Sequence, residues 1–242
     1  MPPRTVRPLG FSTGPPSLAP ITRFLCIAIV VISLLSVLTQ RQLGFGAADL
    51  NFQVGSVLGG QLWRLATYPF IESQVWGLIL SVIFLWFFGS WFENRWGERD
   101  FLKFFALTSV GGALLAIPLS FVLNMLLGII GVRDIGMAEG PGAALDGMLV
   151  ALALTAPDSN IMFGFVLPIR ARTAVLLFLG LQVVIAIMDG GAALSIHVGG
   201  MVMGYLLVTG HWRPRRLVEL ASTVRRRRRG LRLVPPRDRT LH

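Results

Sequence analysis

At 242 residues the chain is 54% hydrophobic and 14% charged, with a mean hydropathy of +0.69 and a formal net charge of +10. A surface wetted on all sides cannot be built from so apolar a composition, which excludes a soluble globular domain and predicts an integral membrane protein. One cysteine, Cys26, excludes a disulfide framework and a cysteine-based metal site within the chain.

In chain order, residues 1–21 are Pro-rich and polar and read as a disordered arm. The first apolar run lacks a convincing small-residue cleavage site and is expected to be retained. Apolar runs near residues 22–39, 75–92, 101–123, 142–157, 172–188 and 190–208 predict six spans, several of them short of the roughly 20 residues that cross a hydrocarbon core. Residues 22–210 therefore form one membrane domain. The segment LNMLLGIIG, residues 123–131, is too short to cross alone and reads as an interfacial or re-entrant piece. Asp189, Gly190 and Gly191 are all that separate the last two runs, so a tight reversal is expected there. Trp76, Trp91, Trp96 and Trp212 fall near predicted span ends, as interfacial anchors do. No internal repeat of array length is visible.

Six spans put nineteen Lys and Arg residues on the side that receives both termini and three (Arg41, Arg64 and Arg133) on the other. The positive-inside rule then makes both termini cytoplasmic. Residues 211–242 are an Arg-rich cytoplasmic tail with eleven arginines, expected to lie on anionic lipid headgroups. Without aromatic interleaving or a binding fold, the tail gives no case for a nucleic-acid partner.

Two ionisable residues interrupt the later apolar runs. His197, Gly200 and Gly204 share one helix face, where absent side chains let a neighbouring helix approach an imidazole. Asp146 lies within the fourth run, and a carboxylate at that depth costs about 2.5–3.5 kcal/mol on insertion scales, so it should face the bundle and find a partner. The pairing expected is Asp146 accepting from His197; the alternative is a protonated Asp146 bonded to backbone. One carboxylate and one imidazole are too few ligands for a metal, and no cofactor is expected.

Three segments resemble the rhomboid intramembrane proteases: QLWRLATYPF (61–70), WFFGSWFENRWGERDFLKFF (86–105) and HVGGMVMGYL (197–206). The first carries Trp63 and Arg64, the second Gly89, Glu93, Gly97 and Arg99, the third His197, Gly200 and Gly204. The resemblance implies an all-α, six-helix rhomboid-like bundle. It also implies a serine at the start of the fourth helix whose proton the sixth-helix His removes, and a second-helix His and Asn that stabilise the oxyanion. For Trp63, Arg64, Glu93 and Arg99, loop bracing and helix-end capping are the expected roles.

The chain departs from that pattern at the chemistry. Laid without gaps on the family's Gly-x-Ser-Gly segment, it reads Gly140-Pro141-Gly142-Ala143, with Gly142 at the nucleophile position, and residues 121–154 contain no Ser, Thr or Cys. Gly77 and Ser81 fall where the oxyanion His and Asn belong, and no histidine other than His197, His211 and His242 exists. Ser195 is about 200° around the helix from His197 and cannot stand in. In the proteases the position of Asp146 often carries an aromatic ring packed on the His. His197 is then a vestige. The resemblance extends to catalytically silent relatives, which implies a pseudoprotease that binds transmembrane helices of client proteins in quality control or assembly. An active intramembrane serine endopeptidase and a transporter or proton relay using Asp146 and His197 are the other readings. Small residues Gly111, Gly112 and Gly180 are compatible with loose packing on one side of the bundle. Twenty-one arginines against one lysine suggest a GC-rich genome and, by composition, a bacterial cytoplasmic membrane.

Overall fold

A computed structural model describes residues 19–44, 46–131, 133–134, 136–157, 160–163, 167–189 and 191–210. Internal packing divides the chain after Val208, and the architecture below is that of the first unit. The Arg-rich tail with Trp212, His211 and His242, and most of the N-terminal arm, lie outside the described residues.

Helix α1 runs Pro20–Leu43. Proline suits its first turn because the missing N–H would have no intrahelical acceptor there, and Gly44 at φ 70° ends it in the left-handed conformation. The helix thus takes in Pro20 and Ile21, which the sequence reading assigned to the arm. Helix α2, Val75–Trp96, contains a π-helical turn at Leu85–Gly89. It stops at Gly97, whose φ of 88° lets α3, Glu98–Leu127, start at the next residue. Helix α3 runs on past Pro118 through most of the segment expected to be re-entrant, and residues 128–130 add a single 3-10 turn. The physical reason is continuity: nothing before Gly128 breaks the helix.

Helices α4, Gly142–Thr155, α5, Ala171–Asp189, and α6, Leu194–Thr209, follow. A strand pair, Arg133–Asp134 with Gly191–Ala192, uses residues that the sequence reading gave to the sixth run. Asn124 steadies it: its Nδ2 donates to the Asp134 carbonyl at 3.0 Å and its Oδ1 accepts from the Asp134 N–H at 2.9 Å. Among the described residues, α1, α2 and α3 are long and apolar enough to cross a membrane, while α4, α6 and residues 172–181 of α5 are shorter apolar helices. The chain is therefore a mostly helical membrane protein with three candidate spans among the described residues.

Among the described residues two larger clusters hold the unit together, and Leu194 packs separately on Leu123 and Leu127. Leu25, Ile29, Leu85, Phe92, Phe101, Phe105, Met148 and Leu152 join the first four helices. Phe52, Val57, Leu65, Tyr68, Ala113, Ala116, Ala143 and Ile196 seat the connection between α1 and α2 on α3, α4 and α6. Many large apolar side chains face outward, among them Phe24, Leu34, Leu114 and Leu176, as lipid-facing helices require.

Where α3, α4 and α6 meet, the contact is backbone on backbone. A Cβ on Gly200 would lie 2.6 Å from the Ala143 Cα, one on Gly204 2.5 Å from the Gly147 Cα, and one on Gly112 3.0 Å from the Gly200 nitrogen. In lipid the hydrophobic effect does not drive helices together, so this close dispersion contact is a main source of association. Gly112, read from the sequence as compatible with loose packing on one side, sits in this close seam. Gly180 has open space beside it.

Glu93, in the last turn of α2 and 3% exposed, caps the start of α1. Its Oε1 accepts from the Ile21 N–H at 2.8 Å, and its Oε2 accepts from the Thr22 N–H at 2.7 Å and the Thr22 hydroxyl at 2.8 Å. These are first-turn N–H groups that no helix can satisfy internally, and a carboxylate also complements the dipole there. Gly89 makes room for this approach, since a Cβ on it would come within 3.0 Å of Thr22 Oγ1.

Candidate functional site

The α4–α6 crossing sets His197 beside the start of α4. A Cβ built on Gly142 would lie 3.2 Å from His197 Cε1 and 3.7 Å from Nδ1. One turn along α4, Asp146 is 1% exposed and its Oδ2 lies 2.6 Å from His197 Nδ1. With the carboxylate ionised, Nδ1–H donates to Oδ2, a charge-assisted bond of the short kind. The ring nitrogen nearest Gly142 is therefore engaged by a carboxylate. Ser195 is buried, and its backbone N–H donates to Asp134 Oδ1 at 3.5 Å.

Glu72, which sequence reasoning passed over, fills the adjacent space. A Cβ on Gly77 would meet its Oε1 at 2.6 Å, and one on Gly140 would meet its Oε2 at 2.5 Å and Ser81 Oγ at 3.6 Å. The Ser81 hydroxyl and the Gln74 N–H donate to this carboxylate. Gly77 and Ser81, expected from the resemblance to fall where oxyanion donors belong, thus border the Glu72 carboxyl. Burial first, and the charge of Glu139 second, push the Glu72 carboxyl up to about 7, against the two donated hydrogen bonds. The available signal in the sequence was a lone acid three residues before an apolar run, facing two glycines that leave room for it.

Glu139 stitches the segment before α4 to the segment before α2. Its Oε2 accepts from the Ser73 N–H at 3.0 Å and from the Ser73 hydroxyl, and its Oε1 accepts from Asn51 Nδ2 at 3.4 Å. Next to it, the Gly140 N–H points at the carbonyls of Tyr68, at 3.0 Å, and Ile71, at 2.6 Å.

Arg64 is buried and organises the connection between α1 and α2. Its Nη1 donates to the Ala48 and Asn51 carbonyls, both at 2.9 Å, and to Asn51 Oδ1 at 2.8 Å, while Nε donates to Gln61 Oε1 at 2.6 Å. Trp63 is exposed and its Nε1–H donates to the Asp49 carbonyl at 3.4 Å. Arg99 lies exposed in the first turn of α3. Among the described residues, no three His, Cys, Asp or Glu side chains gather as a metal site would need.

Rhomboid-like protein 19 of Arabidopsis thaliana is 28% identical over 149 residues, which cover 60% of this chain and 47% of that relative. The match spans about half of the relative's length. A family model described as eukaryotic integral membrane protein (DUF1751) matches residues 23–209. The bacterial membrane suggested by arginine usage finds no support in a family so described, because codon bias reports base composition and not a kingdom. Together the profile match, the relative and the apolar helices make this a rhomboid-like integral membrane protein, and the chain belongs to the eukaryotic integral membrane protein family DUF1751.

Proposed function

We propose that this protein is a rhomboid-like pseudoprotease, a six-helix bundle with both ends cytoplasmic that binds transmembrane segments of client proteins. Its Arg-rich tail rests on anionic lipid. The distribution of Lys and Arg supports the orientation, and the short apolar helices α4–α6 supply the remaining crossings of a bundle buried among its neighbours. The observation that carries the loss of catalysis is the set of contacts around Gly142. The position beside the imidazole has no side chain, His197 Nδ1 is held by Asp146 at 2.6 Å, and the nearby hydroxyl, Ser81, is spent on Glu72. An imidazole without a nucleophile to deprotonate cannot start acyl transfer.

The test uses the purified full chain with a fluorophosphonate probe and a model transmembrane substrate. The wild type and Gly142→Ser are both expected to remain unlabelled, because the added hydroxyl would meet an imidazole already bound and a carboxyl group, not a pair of donors, beside Gly77 and Ser81. Photo-crosslinkers at exposed Leu80 and Leu176 should capture intact membrane partners. Wild-type labelling or cleavage that disappears in His197→Ala overturns the proposal in favour of an enzyme. Proton or solute flux into liposomes that Asp146→Asn abolishes overturns it in favour of a relay.

A further inference from the structure

Glu72 and Glu139 are placed reciprocally. The Glu72 carboxylate lies against Gly140, the neighbour of Glu139, and the Glu139 carboxylate accepts from Ser73, the neighbour of Glu72. Two acids thus face each other across the seam between the segments that precede α2 and α4. The same seam is closed by the Gly140 N–H on the Tyr68 and Ile71 carbonyls. Among the described residues, the other elements packed on Glu72 contribute neutral groups: the α1 hydroxyl of Ser33 accepts from the Glu72 N–H at 3.0 Å, and α2 offers Gly77 and Ser81. The charge that acts on Glu72 is that of Glu139, while the Asp146–His197 pair sits a turn further along α4.

The geometry points to a proton-operated latch over the site: the seam between the segments before α2 and α4 is tight while Glu72 carries a proton and loosens when Glu72 and Glu139 are both ionised. Like charges held close cannot both ionise without cost, and here the cost falls on the two segments that lead into α2 and α4, the second of which runs directly into Gly142. Glu72 titrates near 7 in the closed seam against 4.5 ordinarily. A raised value means that closure binds the proton. The advantage of the closed form is full below about 4.5, is lost progressively as pH rises, and is gone above about 7. Access to the site would then be wider in a neutral compartment than in an acidic one.

Hydrogen exchange on the full chain in detergent micelles tests the latch without any client, so its outcome is independent of whether the protein binds one. Protection factors of the Ser73 and Gly140 amides, corrected for intrinsic exchange, should fall on the order of tenfold from pH 5 to pH 7, while amides in the middle of α3 stay constant. Glu72→Gln should flatten that dependence, and Glu139→Gln should shrink it and move its midpoint to lower pH. The latch is ruled out by a wild type flat across this range, or by a Glu72→Gln protein that keeps the wild-type slope. Should Glu72→Gln fail to fold, the wild-type and Glu139→Gln profiles decide: identical slopes rule it out, and a reduced slope in Glu139→Gln sustains it.

Discussion

Helix α2 has a glutamate at each end, and the two behave differently. Glu93, in the last turn, receives three hydrogen bonds from the start of α1 and is buried. Glu72, three residues before the first turn, receives bonds from Ser81 and Gln74 but also faces a second carboxylate, Glu139. A buried carboxylate is a fixture when its lone pairs meet donors, and a variable element when part of its surroundings repels it. The end of α2 that meets the start of α1 is thus built for permanence and the opposite end for adjustment.

Removing the permanent end should cost most. Glu93→Ala leaves the Ile21 and Thr22 N–H groups without acceptors and should destabilise the fold by about 3 kcal/mol, read from reversible unfolding in mixed micelles. Glu93→Gln, which keeps one acceptor oxygen, should lose about half of that. A cost within error of zero would erase the contrast between the two glutamates.

Between these extremes stands the Asp146–His197 pair. A double-mutant cycle with Asp146→Ala and His197→Ala should return a coupling of about 1–2 kcal/mol, since the bond is short and buried but the partners can find others in the unfolded membrane state. Additive single mutants would mean that the pair is proximity without interaction.

The smallest effect is expected at Glu72, and its sign should be opposite. At pH 7.5 Glu72→Gln removes a charge facing Glu139 while keeping an acceptor for Ser81, so the protein should be unchanged or more stable by at most about 1 kcal/mol, the half-exposed site being partly screened. At pH 4.5 wild type and variant should coincide, because the wild-type group is then protonated in the folded chain. Denaturant midpoints at the two pH values check this; a loss of stability at pH 7.5 would place Glu72 in the same class as Glu93.

Part of the site was legible in the chain. Asp146 at four residues after Gly142, and His197 ahead of Gly200 and Gly204, sit at spacings that put them on interior helix faces, and the structure brings them to 2.6 Å. Glu93 was legible as a helix cap, though the helix it caps is α1, seventy-one residues earlier than Glu93 in its contact with Thr22. Glu72 and Glu139 were not legible. Both lie in irregular segments with no periodicity, and their meeting depends on Gly77 and Gly140 leaving space that no spacing rule announces.

Composition and hydropathy alone determined that the protein lives in a membrane and that residues 121–154 hold no hydroxyl or thiol, because both follow from which side chains exist. Where α3 ends, that Gly112 tightens a seam, and that the Glu72 carboxyl lies beside Gly77 and Ser81 were decided by tertiary structure. Those are questions of distance between segments far apart in the chain, and backbone proximity of this kind is set by the joint packing of several helices, which no single helix encodes.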